Sequence, residues 1–245
     1  MTGASRELGA AMAEALAAGG AAVVAAHHEE GRLADAVVAR IRGSGGTAVA
    51  FDADLSSVEA NRRLVDFAVE ELGRVDVFVA NAGLTRWASF LETDEATWDV
   101  VVDLNLKGSY FGAQAAARRM VEQGDGGRIV LSSSVTGIVA TANASAYAVT
   151  KAGLAHMARA LALELGPHGI TVNALGIGAT VNERNLRDDP DYAARWAAVV
   201  PARRVGRPED VAAALAYLVS PEAAMVTGHT LVVDGGWTVV GDTPD

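Results

Sequence analysis

A chain of 245 residues with 51% apolar side chains can bury one substantial α/β core without a second domain. Its formal charge of −10, with no lysine-rich stripe or arginine run, excludes a nucleic-acid backbone as partner. Zero cysteines exclude disulfides, thiolate catalysis and iron–sulfur clusters and fit a reducing cytoplasm. The start Met1-Thr2-Gly3-Ala4-Ser5-Arg6 has no leader pattern and no membrane-length apolar run follows, so a soluble cytoplasmic protein is expected.

In chain order the pattern predicts a strand over 21–26, a helix over 31–42, a strand over 47–51, a helix over 58–72 and a strand over 75–80. A long helical region from 95 to 122 follows, then a strand over 127–134, a helix through Tyr147 to about 165, and a strand over 170–175. This alternation is that of an α/β, doubly wound parallel sheet, Rossmann-like, with helices on both faces. Between 178 and 201 the regular pattern lapses, apart from one short helix over 191–199. That segment is placed to cover a substrate beyond the strand ends. The opening strand of such a sheet is missing, since only Met1 precedes Thr2-Gly3. A start that is truncated or misassigned is expected, or else another segment that fills the gap.

Two lysines stand against eighteen arginines, and Lys151 lies four places after Tyr147, one of four tyrosines. Random placement would give a Tyr-x-x-x-Lys match about 0.03 times per chain. On a helix, positions i and i+4 share a face, so the ammonium lies near the phenol and favours its ionised form. Ser134, ending the strand Gly127-Arg128-Ile129-Val130-Leu131-Ser132-Ser133-Ser134, can return beside the tyrosine and share one carbonyl oxygen with it. Ser132 and Ser133 read as bystanders, with Ser132 and Ser134 on one face of the strand and Ser133 on the other.

Ser134, Tyr147 and Lys151 at these spacings resemble the catalytic set of the short-chain dehydrogenase/reductase family. The resemblance runs through Asn81-Ala82-Gly83, Asn105 within Asp103-Leu104-Asn105-Leu106-Lys107-Gly108, Gly206-Arg207-Pro208-Glu209-Asp210-Val211, Val226-Thr227-Gly228 and Val233-Asp234-Gly235-Gly236. It implies a single dinucleotide-binding and catalytic domain over 1–245, with Asn105 holding a proton-relaying water and Lys151 bonding the nicotinamide ribose. It also implies homodimers or homotetramers built on the helices from Glu95 and Ser145.

Thr2-Gly3-Ala4-Ser5-Arg6-Glu7-Leu8-Gly9 resembles the family's glycine-rich cofactor turn, which assigns Gly3, Ser5, Arg6, Leu8 and Gly9 to the dinucleotide. Glu7 replaces the middle glycine and is expected to weaken binding, or to act as a first-turn acid that complements the helix dipole. Asp54 and Leu55 are assigned to the adenine, with helix capping as the alternative for Asp54. Asn81, Ala82 and Gly83 are assigned to the dinucleotide, and Gly178 and Thr180 to its nicotinamide end. Arg6 and His28 favour NADP, while Glu29 and Glu30 lie close enough to favour NAD instead. No histidine spacing suits a metal, and none is expected. Ile177 replaces the family's proline ahead of the substrate loop and is expected to loosen that turn.

Together these residues imply hydride transfer between NADP or NAD and a carbonyl or secondary alcohol. Asn182, Glu183, Arg184, Asn185 and Arg187 suit a small polar substrate such as a sugar or hydroxy acid. A 3-oxoacyl thioester is the alternative substrate. It is disfavoured on an acidic carrier, because Asp125 and His168 stand where carrier-binding relatives resemble one another in having arginines. A catalytically impaired relative acting as a binding scaffold is the alternative of a different class.

Overall fold

The structure, a computed structural model, describes residues 1–240. Six strands alternate with helices: α1 (Glu7–Ala18), β1 (Val23–His27), α2 (Gly31–Gly43), β2 (Ala48–Asp52), α3 (Val58–Leu72) and β3 (Val77–Ala80). Then follow α4 (Glu95–Val102), α5 (Ser109–Gln123), β4 (Gly127–Ser134), α6 (Ser145–Leu165) and β5 (Ile170–Ile177). The chain closes with α7 (Glu183–Asp188), α8 (Tyr192–Val199), α9 (Pro208–Val219), β6 (Thr230–Val233) and α10 (Trp237–Val240). In α2 the buried residues are Ala34, Val37, Val38 and Ile41, one stripe at helical spacing. The central strands β4 and β5 are apolar runs covered on both faces, as a parallel sheet demands.

The doubly wound expectation is borne out, with one modification. All pairings are parallel, but they form two pieces, β1-β2 and β3-β4-β5-β6. Residues 1–4 bridge the two pieces at one end. The Met1 amino group donates to the Val24 carbonyl at 3.0 Å, and the Met1 carbonyl accepts from the Ala26 amide at 3.0 Å. On the other side the Thr2 amide donates to the Val79 carbonyl at 3.0 Å, and the Ala4 amide returns to the Ala26 carbonyl at 2.9 Å. Met1 also packs into the apolar layer formed with Val23, Ala25, Val79 and Val130. Burial pushes its amino group down to about 5, so it is uncharged at neutral pH.

Several boundaries move for local reasons. The long helical region is α4 and α5 joined without a break by a π-helical segment, Asp103–Gly108. Gly108 allows Leu55 to approach there, since a Cβ would stand 2.2 Å from the Leu55 carbonyl oxygen. Strand β5 extends two residues past the expected end. Ile177 pairs with Ser134 on one side and Val233 on the other, so the turn expected to be loose is an ordered ladder position. Helix α8 matches the short helix expected near 191–199, whereas α7, α9 and β6 have no counterpart among the predicted elements.

Two glycines separate backbone packing from propensity. A Cβ on Gly9 would lie 1.8 Å from the Gly3 carbonyl oxygen, while one on Gly43, the last residue of α2, meets nothing within 4 Å. Gly9→Ala is expected to destabilise by about 3 kcal/mol and Gly43→Ala to stabilise by about 0.5 kcal/mol, both read from urea unfolding midpoints.

Candidate active site

Thr2 is the junction of the glycine turn. Its hydroxyl accepts the Asn81 and Ala82 amides, each at 2.8 Å, and donates to the Val79 carbonyl at 3.3 Å. The Asn81 carboxamide donates to the Gly3 carbonyl at 2.9 Å and accepts from the Ser132 hydroxyl at 3.1 Å. Gly3 holds φ +60 and would set a Cβ 2.9 Å from the Ala82 Cα, so the turn lies flat on the Asn81-Ala82-Gly83 segment. Arg6, the N-cap of α1, makes no side-chain bond to the first turn, which leaves that helix terminus able to meet an anion. Leu8 packs against the apolar core behind the turn.

Glu7 holds a left-handed backbone, at φ +50. Its Oε1 accepts the Glu183 amide of α7 at 2.7 Å, across the mouth between glycine turn and substrate loop. Glu7 is an acid in the first turn of α1, as expected, and its carboxylate in addition accepts from a second helix.

At the adenosine end, Arg6 pairs with Glu30 at 3.0 Å and the buried Ser5 hydroxyl donates to the other oxygen of Glu30. The two histidines differ. His27 is buried at the end of β1 and accepts the Glu30 amide through Nδ1 at 3.3 Å, whereas His28 is exposed and lies 3.9 Å from Asp52. The surface-turn reading therefore holds for His28 alone. Asp54 accepts the Ser56 amide at 3.0 Å, which holds its carboxyl below the usual range, and Ser57 caps α3 by accepting from Ala60. Asp54 thus shapes the turn before the cap. Leu55 is buried and its carbonyl is taken by Asn61 at 2.8 Å, so its side chain belongs to the core.

The β4 end, α6 and the π-helical segment converge on Lys151. Its ammonium is buried, donates to the Ser132 carbonyl at 2.7 Å and lies 5.3 Å from the centre of the Tyr147 ring. Among the described residues no carboxylate pairs with it. Ser133, on the opposite face, donates to the Lys151 carbonyl at 2.7 Å. The bystander reading of Ser132 and Ser133 is thereby corrected, because one holds the ammonium and the other the backbone of the same residue. Ser134 accepts the Thr136 amide at 3.2 Å and reaches the Ile177 carbonyl at 3.4 Å, with one edge left open. Asn105 is fully buried, its carboxamide paired with both the amide and the carbonyl of Leu84 at 2.8 and 2.9 Å. A π-helical bulge carrying such a residue is common at functional sites. Gly83 lies beside both groups, since a Cβ there would come within 3.1 Å of Asn105 Oδ1 and 3.5 Å of Lys151 Nζ. Gly178 and Thr180 are drawn to the other wall, where the Gly178 amide donates to Val233 at 3.0 Å and Thr180 bridges to Gly206.

A cleft of about 530 Å³ opens between Thr85, Arg86 and Trp87 on one wall and Arg184, Asn185, Asp188, Asp189 and Tyr192 on the other. Burial pushes the Tyr192 phenol up to about 12, so it serves as a neutral hydrogen-bond donor and not as a proton-transfer group. Among the described residues there is no cluster of three metal-ligating side chains, and no helix is long and apolar enough to cross a membrane.

A family model described as enoyl-(acyl carrier protein) reductase matches residues 3–238. The chain is 42% identical to an L-rhamnose 1-dehydrogenase (NAD(P)(+)) of Azotobacter vinelandii, covering 96% of this chain and 94% of that one. It is 38% identical to a 3-oxoacyl-[acyl-carrier-protein] reductase of Synechocystis, covering 96% and 94%. The crystal structure of a short-chain type dehydrogenase/reductase from Mycobacterium marinum superposes with a TM-score of 0.91 at 35% identity, covering 97% and 94%. The fold and the site define a nicotinamide-dependent oxidoreductase. The chain belongs to the short-chain dehydrogenase/reductase family.

The sequence context of Thr2 does not single it out, yet two part-buried amides depend on it. Thr2→Val is expected to destabilise by about 2–4 kcal/mol, through two orphaned donors, while Thr2→Ser retains most of the stability; urea unfolding of both variants checks this.

Proposed function

We propose that the chain oxidises a secondary or hemiacetal hydroxyl of a small polyhydroxylated substrate, reversibly, with NADP or NAD. The observation that carries this reading is the buried, carboxylate-free ammonium of Lys151 beside the Tyr147 ring, at the end of the strand that carries Ser134. The dinucleotide, when bound, supplies the hydride acceptor. Gly3, Ser5, Arg6 and Gly9 would hold its pyrophosphate and adenosine side, and Asn81, Gly83, Gly178 and Thr180 would flank the nicotinamide. The site fits such a group at the uncapped α1 terminus and in the close-packed turn, while Glu7 sets a carboxylate at its rim.

Within that frame Tyr147, as the phenolate that the Lys151 ammonium favours, takes the proton of the substrate hydroxyl and becomes the neutral phenol. Ser134 orients the same oxygen. Asn105 fixes the loop after Gly83 and so the distance between that loop and Lys151. The cleft walls favour a sugar-like substrate: Trp87 offers a flat face to C–H groups, and Arg86, Arg184, Asn185 and Asp188 offer donors and acceptors to hydroxyls. The L-rhamnose 1-dehydrogenase relatives support the same class. A 3-oxoacyl thioester is the second reading, favoured by the Synechocystis relative.

Residues 1–245 act as one unit in this reading, in the cytoplasm, with a second copy of the chain as partner. Exposed Tyr110 and Val121 on α5 and exposed Leu163 on α6 support self-association through these helices, beside a groove also lined by Ala117 and Leu161. Sedimentation at micromolar concentration is expected to show a dimer or tetramer, and a monomer would remove the partner assignment. Tyr147→Phe is expected to lower kcat by about 10²–10⁴-fold with cofactor affinity nearly unchanged; stopped-flow turnover with NADPH fluorescence titration measures both. A panel of aldoses, aldonates and a 3-oxoacyl thioester, assayed with each cofactor, decides the substrate class.

A further inference from the structure

Helix α7 carries Arg184, Asn185 and Asp188 into the substrate cleft, yet none of its residues is buried. It has no apolar anchor, so polar bonds decide where it sits. Besides the bond between the Tyr192 phenol and the Asn185 side chain, two are local: Asn182 caps the Asn185 amide at 2.7 Å, and the Asn185 carboxamide donates to the Thr180 carbonyl at 3.3 Å. The third comes from the far end of the chain, where Glu7 Oε1 accepts the Glu183 amide at 2.7 Å across 176 positions. Glu7 belongs to the glycine turn, where it holds φ +50.

We propose that Glu7 is a positioning residue for the substrate, tying the dinucleotide turn to the wall of the substrate cleft. This inference rests on the oxidoreductase reading above. Its carboxylate fixes α7 so that Arg184 and Asn185 face Thr85, Arg86 and Trp87. The same carboxylate stands at the rim of the anion site at the α1 terminus, where it opposes a pyrophosphate. The residue therefore acts on two ligands with opposite sign: it improves substrate binding and weakens cofactor binding. A side chain with only a structural role would not separate the two.

Two substitutions isolate the two effects. Glu7→Gln removes the charge but keeps an oxygen that can accept the Glu183 amide. Glu7→Ala removes both, while keeping a Cβ at the same backbone angle. With the aldose turned over fastest by the unsubstituted chain as probe, Glu7→Ala is expected to raise KM about tenfold with kcat within about twofold. NADPH fluorescence titration is expected to show cofactor Kd lowered about three- to tenfold in both variants, with KM in Glu7→Gln within about twofold of the parent. Hydrogen exchange at residues 183–188 rises in Glu7→Ala alone. An unchanged KM in Glu7→Ala, or KM and Kd rising together, overturns the inference while leaving the oxidoreductase reading intact. A parent chain that binds neither NADPH nor NADH overturns both.

Discussion

A buried ammonium without a carboxylate is the constraint on which the site depends. Lys151 has three N–H donors, of which the Ser132 carbonyl takes one. Burying a cation with so little compensation costs several kcal/mol, unless further acceptors or a delocalised negative charge meet it. The face of Tyr147 supplies part of that compensation, and a phenolate would supply more. The fold holds the unfavourable group in place from every side: Ser132 at its head, the Ser133 hydroxyl on its backbone, and the Asn105 loop across from it. A partnering aspartate would stabilise the lysine and cancel its field at the Tyr147 ring.

The second constraint is close backbone approach. Ser134 on β4 and Lys151 on α6 meet the glycine turn only if two pieces of sheet are held in register. Four residues do this, through bonds to Val24, Ala26 and Val79 and through the Thr2 hydroxyl, which gathers two amides of the Asn81 segment. Gly3 and Gly9 let the turn fold tightly on itself and on Ala82, where a single methyl group would collide with backbone. The distance from the α1 terminus to Lys151 is thus set by main-chain packing, with little reliance on mobile side chains.

Much of this was legible in the sequence. Strand and helix alternation follows from apolar runs and amphipathic stripes, and the Tyr147–Lys151 pair follows from helical spacing. What was not legible depends on partners remote along the chain. Nothing local to Thr2 announces that it serves Asn81 and Ala82, nor can strand alternation reveal that the Ser132 carbonyl, rather than its hydroxyl, holds Lys151. Ile177 was read as a loosened turn because its missing proline ring frees an N–H, but the ladder between β4 and β6 already fixed its conformation. Helix α7 is short, polar and unburied, so it has no periodic signature; its position comes from Asn182 and from Glu7.

The glycine turn and the turn after β1 hold a basic and an acidic side chain against each other. Arg6 is the group suited to a 2′-phosphate, and Glu30, paired with it at 3.0 Å, is the group suited to a ribose hydroxyl. The pair is partly exposed, with side chains 56% and 28% accessible, so it contributes about 0–1 kcal/mol. A phosphate could draw Arg6 away at that small cost and gain charge-assisted bonds about twice as strong as neutral ones. Without the phosphate, Glu30 keeps Arg6 and remains close to Ser5. A weak, partly exposed ion pair is therefore what holds Arg6, and any anion that offers it stronger charge-assisted bonds displaces Glu30 at small cost.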